Sequence, residues 1–207
     1  MLFLASGGSA LSLLEPEILP ENLASLTISV LDEHYTTDAS ERNFCKMQKL
    51  PFYAAAKEHG AVFFDPYGGP VEEAGKRFDR FLKDWIMENP EGKLVATIGI
   101  GADGHTAGIV PFADSALFAK LFEDEEVLAV GYSTAYGDFP ERVTSTLALL
   151  KKLHTAVLFV VGEEKAATLT TFLDTEPAPS IFPAQLLKRI PNLTVVTDRS
   201  LSFPTSP

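Results

Sequence analysis

Short apolar runs alternate along this chain with stretches of helical patterning, and that alternation restricts the fold more than any other feature. The runs are Leu2–Ala5, Leu26–Leu31, Ala61–Phe64, Leu94–Ile98, Val127–Gly131, Ala156–Val161 and Leu193–Val196. Several hold Val, Ile, Leu and Phe without interruption, as strands covered on both faces must. Between them, Glu72–Met87 sets Phe78, Phe81, Leu82, Trp85 and Ile86 on one helical stripe. Lys76, Arg77, Asp79 and Lys83 fall elsewhere on that helix. Shorter helices are expected over Arg142–Leu153, Glu163–Leu173 and Ala184–Ile190, with a helical stretch around Leu11–Leu14. The pattern predicts an α/β fold, a mainly parallel sheet with helices on both faces.

At 207 residues and 46% hydrophobic, the chain suits one domain spanning residues 1–207. Pro66–Pro70 and Pro177–Pro179 read as loops rather than linkers, and the tail Leu201–Pro207 is expected to fray. The net charge is −11, so no global attraction draws the chain to nucleic acid or to an anionic membrane. Any anion it binds must be met by a few local cations. Cys45 is the single cysteine; it reads as a packing residue and fits a reducing compartment. No apolar run approaches the ~18 residues of a membrane span. The opening Met1–Ala5 has no basic residue before it, the first being Arg42, so a secretory signal is not expected and the cytoplasm is the default. Either a monomer or a small homo-oligomer is compatible with this reading.

The chemistry concentrates in loops that follow the expected strands. After Leu94–Ile98 comes Gly99-Ile100-Gly101-Ala102-Asp103-Gly104-His105-Thr106-Ala107. Glycines let the backbone turn and approach a ligand closely. A loop at the carboxyl end of a strand is where an open α/β sheet keeps its site. The plainer alternative makes Asp103 a helix cap and His105 a first-turn residue. Ser6-Gly7-Gly8-Ser9 follows the first strand, where small residues free backbone N–H groups to meet an anion; a plain tight turn is the alternative. Asp32-Glu33-His34 ends the second strand and faces the same crevice, and Asn43 can reach back to hold that loop or a sugar hydroxyl. A solvated turn and a helix start are the duller accounts.

Arg142 and Lys165 each fall in the expected first turn of a helix, where a cation opposes the helix dipole. A bound phosphate would offset that cost, although Lys165 can equally be an exposed lysine beside Glu163 and Glu164. His34, His59, His105 and His154 make no zinc spacing with the one cysteine, so no metal is expected. Gly99-Ile100-Gly101 lacks the third glycine and downstream acid of a dinucleotide fingerprint, and no Gly-Lys-Ser/Thr follows either glycine loop.

Together these segments, in this order, resemble the family of sugar-phosphate isomerases and lactonases, most closely its lactonase branch. They span residues 6 to about 166, and the Asp-Gly-His-Thr-Ala block is the most specific of them. The resemblance implies a Rossmann-like fold and hydrolysis of 6-phospho-D-glucono-1,5-lactone without metal or organic cofactor. It implies His105 as catalytic acid/base, with Asp103 and Asp32 as site acids orienting it, water or sugar hydroxyls. It implies phosphate contacts from Ser6, Gly7, Gly8, Arg142 and Lys165, with Ser9, Glu33, His34, Asn43 and Gly101 around the substrate.

Within these motifs the chain departs from the family pattern in three places. His34 stands where an arginine is usual. Arg42-Asn43 replaces Ser-Asn, which makes Arg42 a candidate replacement cation. Gly108-Ile109-Val110-Pro111 replaces Ser-Leu-Phe-Pro. The deaminases of the family carry a glutamate before that proline; Val110 cannot transfer protons, which favours the lactonase over an amino-sugar-phosphate isomerase or deaminase. A non-catalytic sugar-phosphate sensor is the third alternative.

Overall fold

The computed structural model describes residues 1–19 and 25–200. The tail Leu201–Pro207, expected to fray, lies outside the described residues. Nine strands are described: β1 (Leu2–Ala5), β2 (Thr27–Val30), β3 (Asp32–His34), β4 (Val62–Phe63), β5 (Leu94–Ile98), β6 (Ala129–Ser133), β7 (Glu141–Ser145), β8 (Thr155–Val160) and β9 (Leu193–Thr197). The α-helices are α1 (Asn43–Gln48), α2 (Pro51–Glu58), α3 (Val71–Glu88), α4 (Ser115–Phe122), α5 (Leu147–Leu150) and α6 (Ala166–Asp174).

Six strands form a parallel sheet in the order β4-β2-β1-β5-β8-β9. Its apolar side chains divide by the two-residue period of a strand. Leu2 and Leu4 of β1 join Leu94, Ala96 and Ile98 of β5 in one core with α3, whose Phe78 and Leu82 are fully buried. Phe3 and Ala5 join Ile28 and Val30 of β2 in a second core, closed by Phe44 and Met47 of α1 and Phe52 and Ala56 of α2. Strands buried on both faces explain the unbroken apolar runs of the sequence.

The strand order reverses between β1 and β5: the chain builds outward to β2 and β4 on one side and to β8 and β9 on the other. The loops leaving β1 and β5 at their carboxyl ends therefore part at that point and leave a crevice, the usual ligand position in an open α/β sheet.

The structure corrects the sequence reading on a second sheet. Asp32–His34 is not the end of β2 but a separate strand, β3, in an antiparallel sheet ordered β3-β7-β6. Leu31 is the junction. Its N–H bonds Ala5 in the parallel sheet at 2.8 Å, while its carbonyl accepts the N–H of Ser145 at 3.2 Å and the Ser145 hydroxyl at 2.7 Å. The expected helix over Arg142–Leu153 is instead strand β7 followed by the single turn α5. Arg142 is thus in a strand, not a helix. Val143 and Thr144 are β-branched and sit in the central strand of the antiparallel sheet, where tertiary pairing outweighs any helical pattern.

The apolar run expected over Val127–Gly131 becomes β6, two residues later and outside the parallel sheet. The helical stretches near Leu11 and at Ala184–Ile190 are 3₁₀ helices over Gly8–Leu13 and Pro183–Arg189. Glu163–Leu173 divides into a 3₁₀ turn, Glu163–Lys165, and α6.

Helix α3 lies close on the antiparallel sheet because two glycines allow it. A Cβ on Gly75 would fall 1.8 Å from the Gly131 nitrogen, and one on Gly131 would fall 1.8 Å from the Val71 carbonyl oxygen.

Candidate active site

A cavity of about 240 Å³ opens at the crevice between β1 and β5. Its walls come from two loops, the antiparallel sheet and two further side chains. Ser6, Gly7, Gly8 and Ser9 arrive on the loop after β1, and Gly99 to Gly101, His105, Ala107 and Gly108 on the loop after β5. The antiparallel sheet adds Asp32, His34 and Arg142, and the remaining wall is Asn43 and Lys165.

The loop after β5 is stapled in shape. Thr106 donates its hydroxyl to the Gly99 carbonyl at 2.8 Å, and Gly101 and Gly104 close the turn through backbone bonds of 2.9 and 3.0 Å. The hydroxyl of Tyr132 reaches the Gly108 carbonyl at 2.6 Å, and that of Thr144 bonds the Ala107 carbonyl. Within this frame Asp103 Oδ1 lies 2.6 Å from His105 Nδ1 and accepts the His105 backbone N–H at 3.1 Å. A carboxylate facing Nδ1 keeps the proton on that nitrogen and leaves Nε2 as an acceptor. Burial works to raise the Asp103 carboxyl, but its hydrogen bonds to the His105 ring and backbone N–H, with help from the Tyr136 hydroxyl, hold it well below the usual carboxylate range. Gly101 makes the arrangement possible: a Cβ there would stand 2.1 Å from His105 Cε1.

The two-residue period of β3 and β7 selects which side chains face the cavity. Asp32 pairs with Thr144 and His34 with Arg142, and these four share one face. Glu33 pairs with Val143 on the other. Glu33 therefore does not line the cavity. Fully buried, it accepts the backbone N–H groups of Asn43 at 2.5 Å and Phe44 at 2.9 Å, which anchors the start of α1. Burial pushes its carboxyl up to about 8, against the pull of those two bonds. Asn43, so anchored, donates from Nδ2 to the Asp32 backbone carbonyl at 3.0 Å and to Asp32 Oδ2 at 3.2 Å. Its other face touches Gly7, where a Cβ would fall 2.2 Å from Asn43 Oδ1.

The cations have an uncommon setting. Arg142 is 5% exposed, its Nε has no hydrogen-bond partner, and among the described residues its guanidinium has no carboxylate within ion-pair distance. A buried, unpaired charge is costly unless something neutralises it. Lys165 bridges two loops, its Nζ 2.9 Å from Ser9 Oγ. Two cations thus line the same cavity as the turn Ser6–Ser9 in a chain whose overall charge is −11. Arg42 does not join them: its guanidinium lies 4.0 Å over the Tyr67 ring and 2.9 Å from Cys45 Sγ, away from the cavity walls.

His34 does line the cavity. Its ring stacks on Phe139 at 4.0 Å and 13°, and Nδ1 lies 3.1 Å from the Glu41 carbonyl. Asp103 lies just behind the wall and acts on the cavity through His105. Val110 is 1% exposed. Among the described residues no group of three His, Cys, Asp or Glu is placed to hold a metal ion, and no helix is long and apolar enough to cross a membrane.

Sequence reasoning missed the loop Thr134–Pro140 between β6 and β7, which brings Phe139 to His34 and the Tyr136 hydroxyl to Asp103. Only the Gly137-Asp138 turn signal marked it, and where a hairpin folds back is a tertiary matter.

A parallel sheet with a ligand crevice at its switch point, carrying an Asp–His pair beside two cations, defines an α/β protein with an anion-binding crevice. The match to known proteins is specific within that class: residues 3–196 match the glucosamine-6-phosphate isomerases/6-phosphogluconolactonase family, and the chain belongs to it. It is 29% identical over 199 residues to a 6-phosphogluconolactonase of Bos taurus, covering 88% of this chain and 72% of that protein. It is 26% identical to one of Borreliella burgdorferi, covering 90% and 70%. Its fold is similar to the solved 6-phosphogluconolactonase of Thermotoga maritima, with a TM-score of 0.72 at 21% identity over 95% of this chain and 84% of that one.

Proposed function

We propose that this chain hydrolyses 6-phospho-D-glucono-1,5-lactone to 6-phosphogluconate. The observation that carries the reading is the buried, unpaired Arg142 sharing a small cavity with Lys165 and with a His105 oriented by Asp103. The curated relatives named above support it, since all are 6-phosphogluconolactonases.

In this reading the phosphoryl group sits against Arg142, Lys165 and the N–H groups of Ser6–Ser9. Gripping this remote group holds the lactone in register at the other end of the cavity. His105 Nε2 takes a proton from water as the oxygen attacks the lactone carbonyl. The ring C–O bond then breaks, and the proton returns to the departing ring oxygen, so that water and lactone become the open acid with nothing left over. Asp103 is a positioning residue that fixes the tautomer, and Asp32, steadied by Asn43, orients the water or a sugar hydroxyl. Backbone N–H groups of the glycine loops face the developing oxyanion. No step calls on a metal or organic cofactor. The single cysteine and a phosphorylated substrate favour a cytoplasmic setting.

Val110, buried and without a titratable group, argues against deamination of an amino-sugar phosphate. The test combines a hydrolysis assay, corrected for spontaneous ring opening, with thermal-shift titration by 6-phosphogluconate. Hydrolysis above background is expected, together with stabilisation by the product. Stabilisation without hydrolysis identifies a sensor. Ammonia release from glucosamine 6-phosphate identifies a deaminase.

A further inference from the structure

We propose that His34 is a phosphoryl ligand that takes up a proton as the sugar phosphate binds. The proposal rests on the reading of the cavity given above and goes beyond it by making anion binding in this chain a proton-linked event.

Three observations place His34 at the anion. It lines the cavity, it is the direct cross-strand partner of Arg142, and both side chains share the cavity face of the antiparallel sheet. Its ring is held by the Phe139 stack and by the Glu41 carbonyl 3.1 Å from Nδ1. A carbonyl only accepts, so Nδ1 carries the proton and Nε2 is the ring nitrogen without a partner among the described residues.

The charges around the ring are few. Asp32 on its own strand favours the cation, while Arg142 on β7 and Lys46 on α1 oppose it. Lys46 is already paired with the Glu41 carboxylate at 2.9 Å. The β6–β7 loop presents the uncharged Phe139. Burial is the largest influence and draws the imidazole below its ordinary value, so in the free protein the ring is neutral at pH 7 and Nε2 is a bare acceptor.

A phosphoryl dianion also offers only acceptors, and two acceptors cannot bond. The conflict resolves when Nε2 gains a proton. The dianion then supplies a counter-charge in contact with the ring, and an opposite charge at contact favours the protonated imidazole. A permanent arginine at this position would set two cations on paired strands with Asp32 alone on the shared face to offset them. A histidine is cationic only when the anion is present.

The test is calorimetric titration with 6-phosphogluconate at about pH 7.5, above the second phosphate ionisation near 6, in two buffers of different ionisation enthalpy. Wild-type protein is expected to take up a measurable fraction of a proton per site, with binding that weakens as pH rises further. His34→Arg is expected to take up none, with affinity flat over the same range. His34→Gln is expected to take up none and to bind roughly tenfold more weakly. Exchange at every group other than residue 34 is a background common to all three proteins; the expected uptakes are those above it, so the difference isolates position 34. Equal uptake in all three, or none in wild type, would overturn the proposal. A wild-type protein that fails to bind 6-phosphogluconate would overturn the phosphosugar reading itself and this proposal with it.

Discussion

The two sheets contribute to the cavity in opposite ways. The parallel sheet is covered on both faces, so its strands are mostly apolar, and its contribution comes from loops beyond the carboxyl ends: the Ser6–Ser9 turn and the Gly99–Gly108 frame that carries His105. The antiparallel sheet turns one face to the core and the other to the cavity, and its contribution comes from side chains within the strands, Asp32, His34 and Arg142. One sheet supplies backbone N–H groups and the imidazole of His105, the other the side chains of Asp32, His34 and Arg142. His105 on the one and Arg142 on the other separate chemistry from binding, and substitutions of these two residues should therefore fail differently.

The sharpest break in that comparison is expected on the loop of the parallel sheet. His105→Ala should lower kcat for lactone hydrolysis by ~10²–10⁴-fold, with KM little changed; turnover near wild type would remove His105 from the chemistry. Gly101→Ala should cost about 10²-fold in kcat without unfolding the protein, because its Cβ would meet the His105 ring at 2.1 Å. Normal kcat in that variant would mean that the ring does not need its present seat.

On the antiparallel sheet the expected loss is in binding. Arg142→Met should raise KM roughly 10–100-fold with a smaller effect on kcat. The apo protein should melt no lower than wild type, since the substitution removes a buried charge without an internal partner. A marked fall in apo melting temperature would make Arg142 a structural residue.

The smallest expected effect concerns Glu33, on the far face of β3. Burial lifts its carboxyl to about 8, so between the ordinary glutamate value of 4.5 and that point the folded chain holds a proton that the unfolded chain has released. Stability should fall as pH rises through that window, by at most about 1.4 kcal/mol per pH unit. Glu33→Gln should flatten the slope in denaturant melts and leave KM unchanged. An unaltered slope would assign it to other groups.

The division between the sheets also explains what could be read from the sequence. Unbroken apolar runs and glycine loops are local signals, and they marked β1, β2, β5 and β8 and both glycine loops near their observed bounds. The antiparallel sheet is a tertiary object. Nothing local distinguishes Arg142-Val143-Thr144-Ser145 from the start of the helix that Leu147–Leu150 then forms; pairing with β3 and β6 decides it. The placing of Glu33 was open to the same local reasoning, since alternation along Asp32-Glu33-His34 must send its middle residue away from its neighbours. Recognising that segment as a strand in its own right was the missing step. Arg42 misled because charge is visible in a sequence and direction is not: its side chain turns to Tyr67 and Cys45.

The most direct test of this divided site compares hydrolysis of 6-phospho-D-glucono-1,5-lactone with that of the unphosphorylated lactone, each corrected for spontaneous opening, in wild type and in Arg142→Met. The phosphorylated ester is expected to be preferred by about 10²-fold or more in kcat/KM, with most of that preference lost in the variant. Equal rates on the two lactones, or a preference that survives without Arg142, would contradict the account.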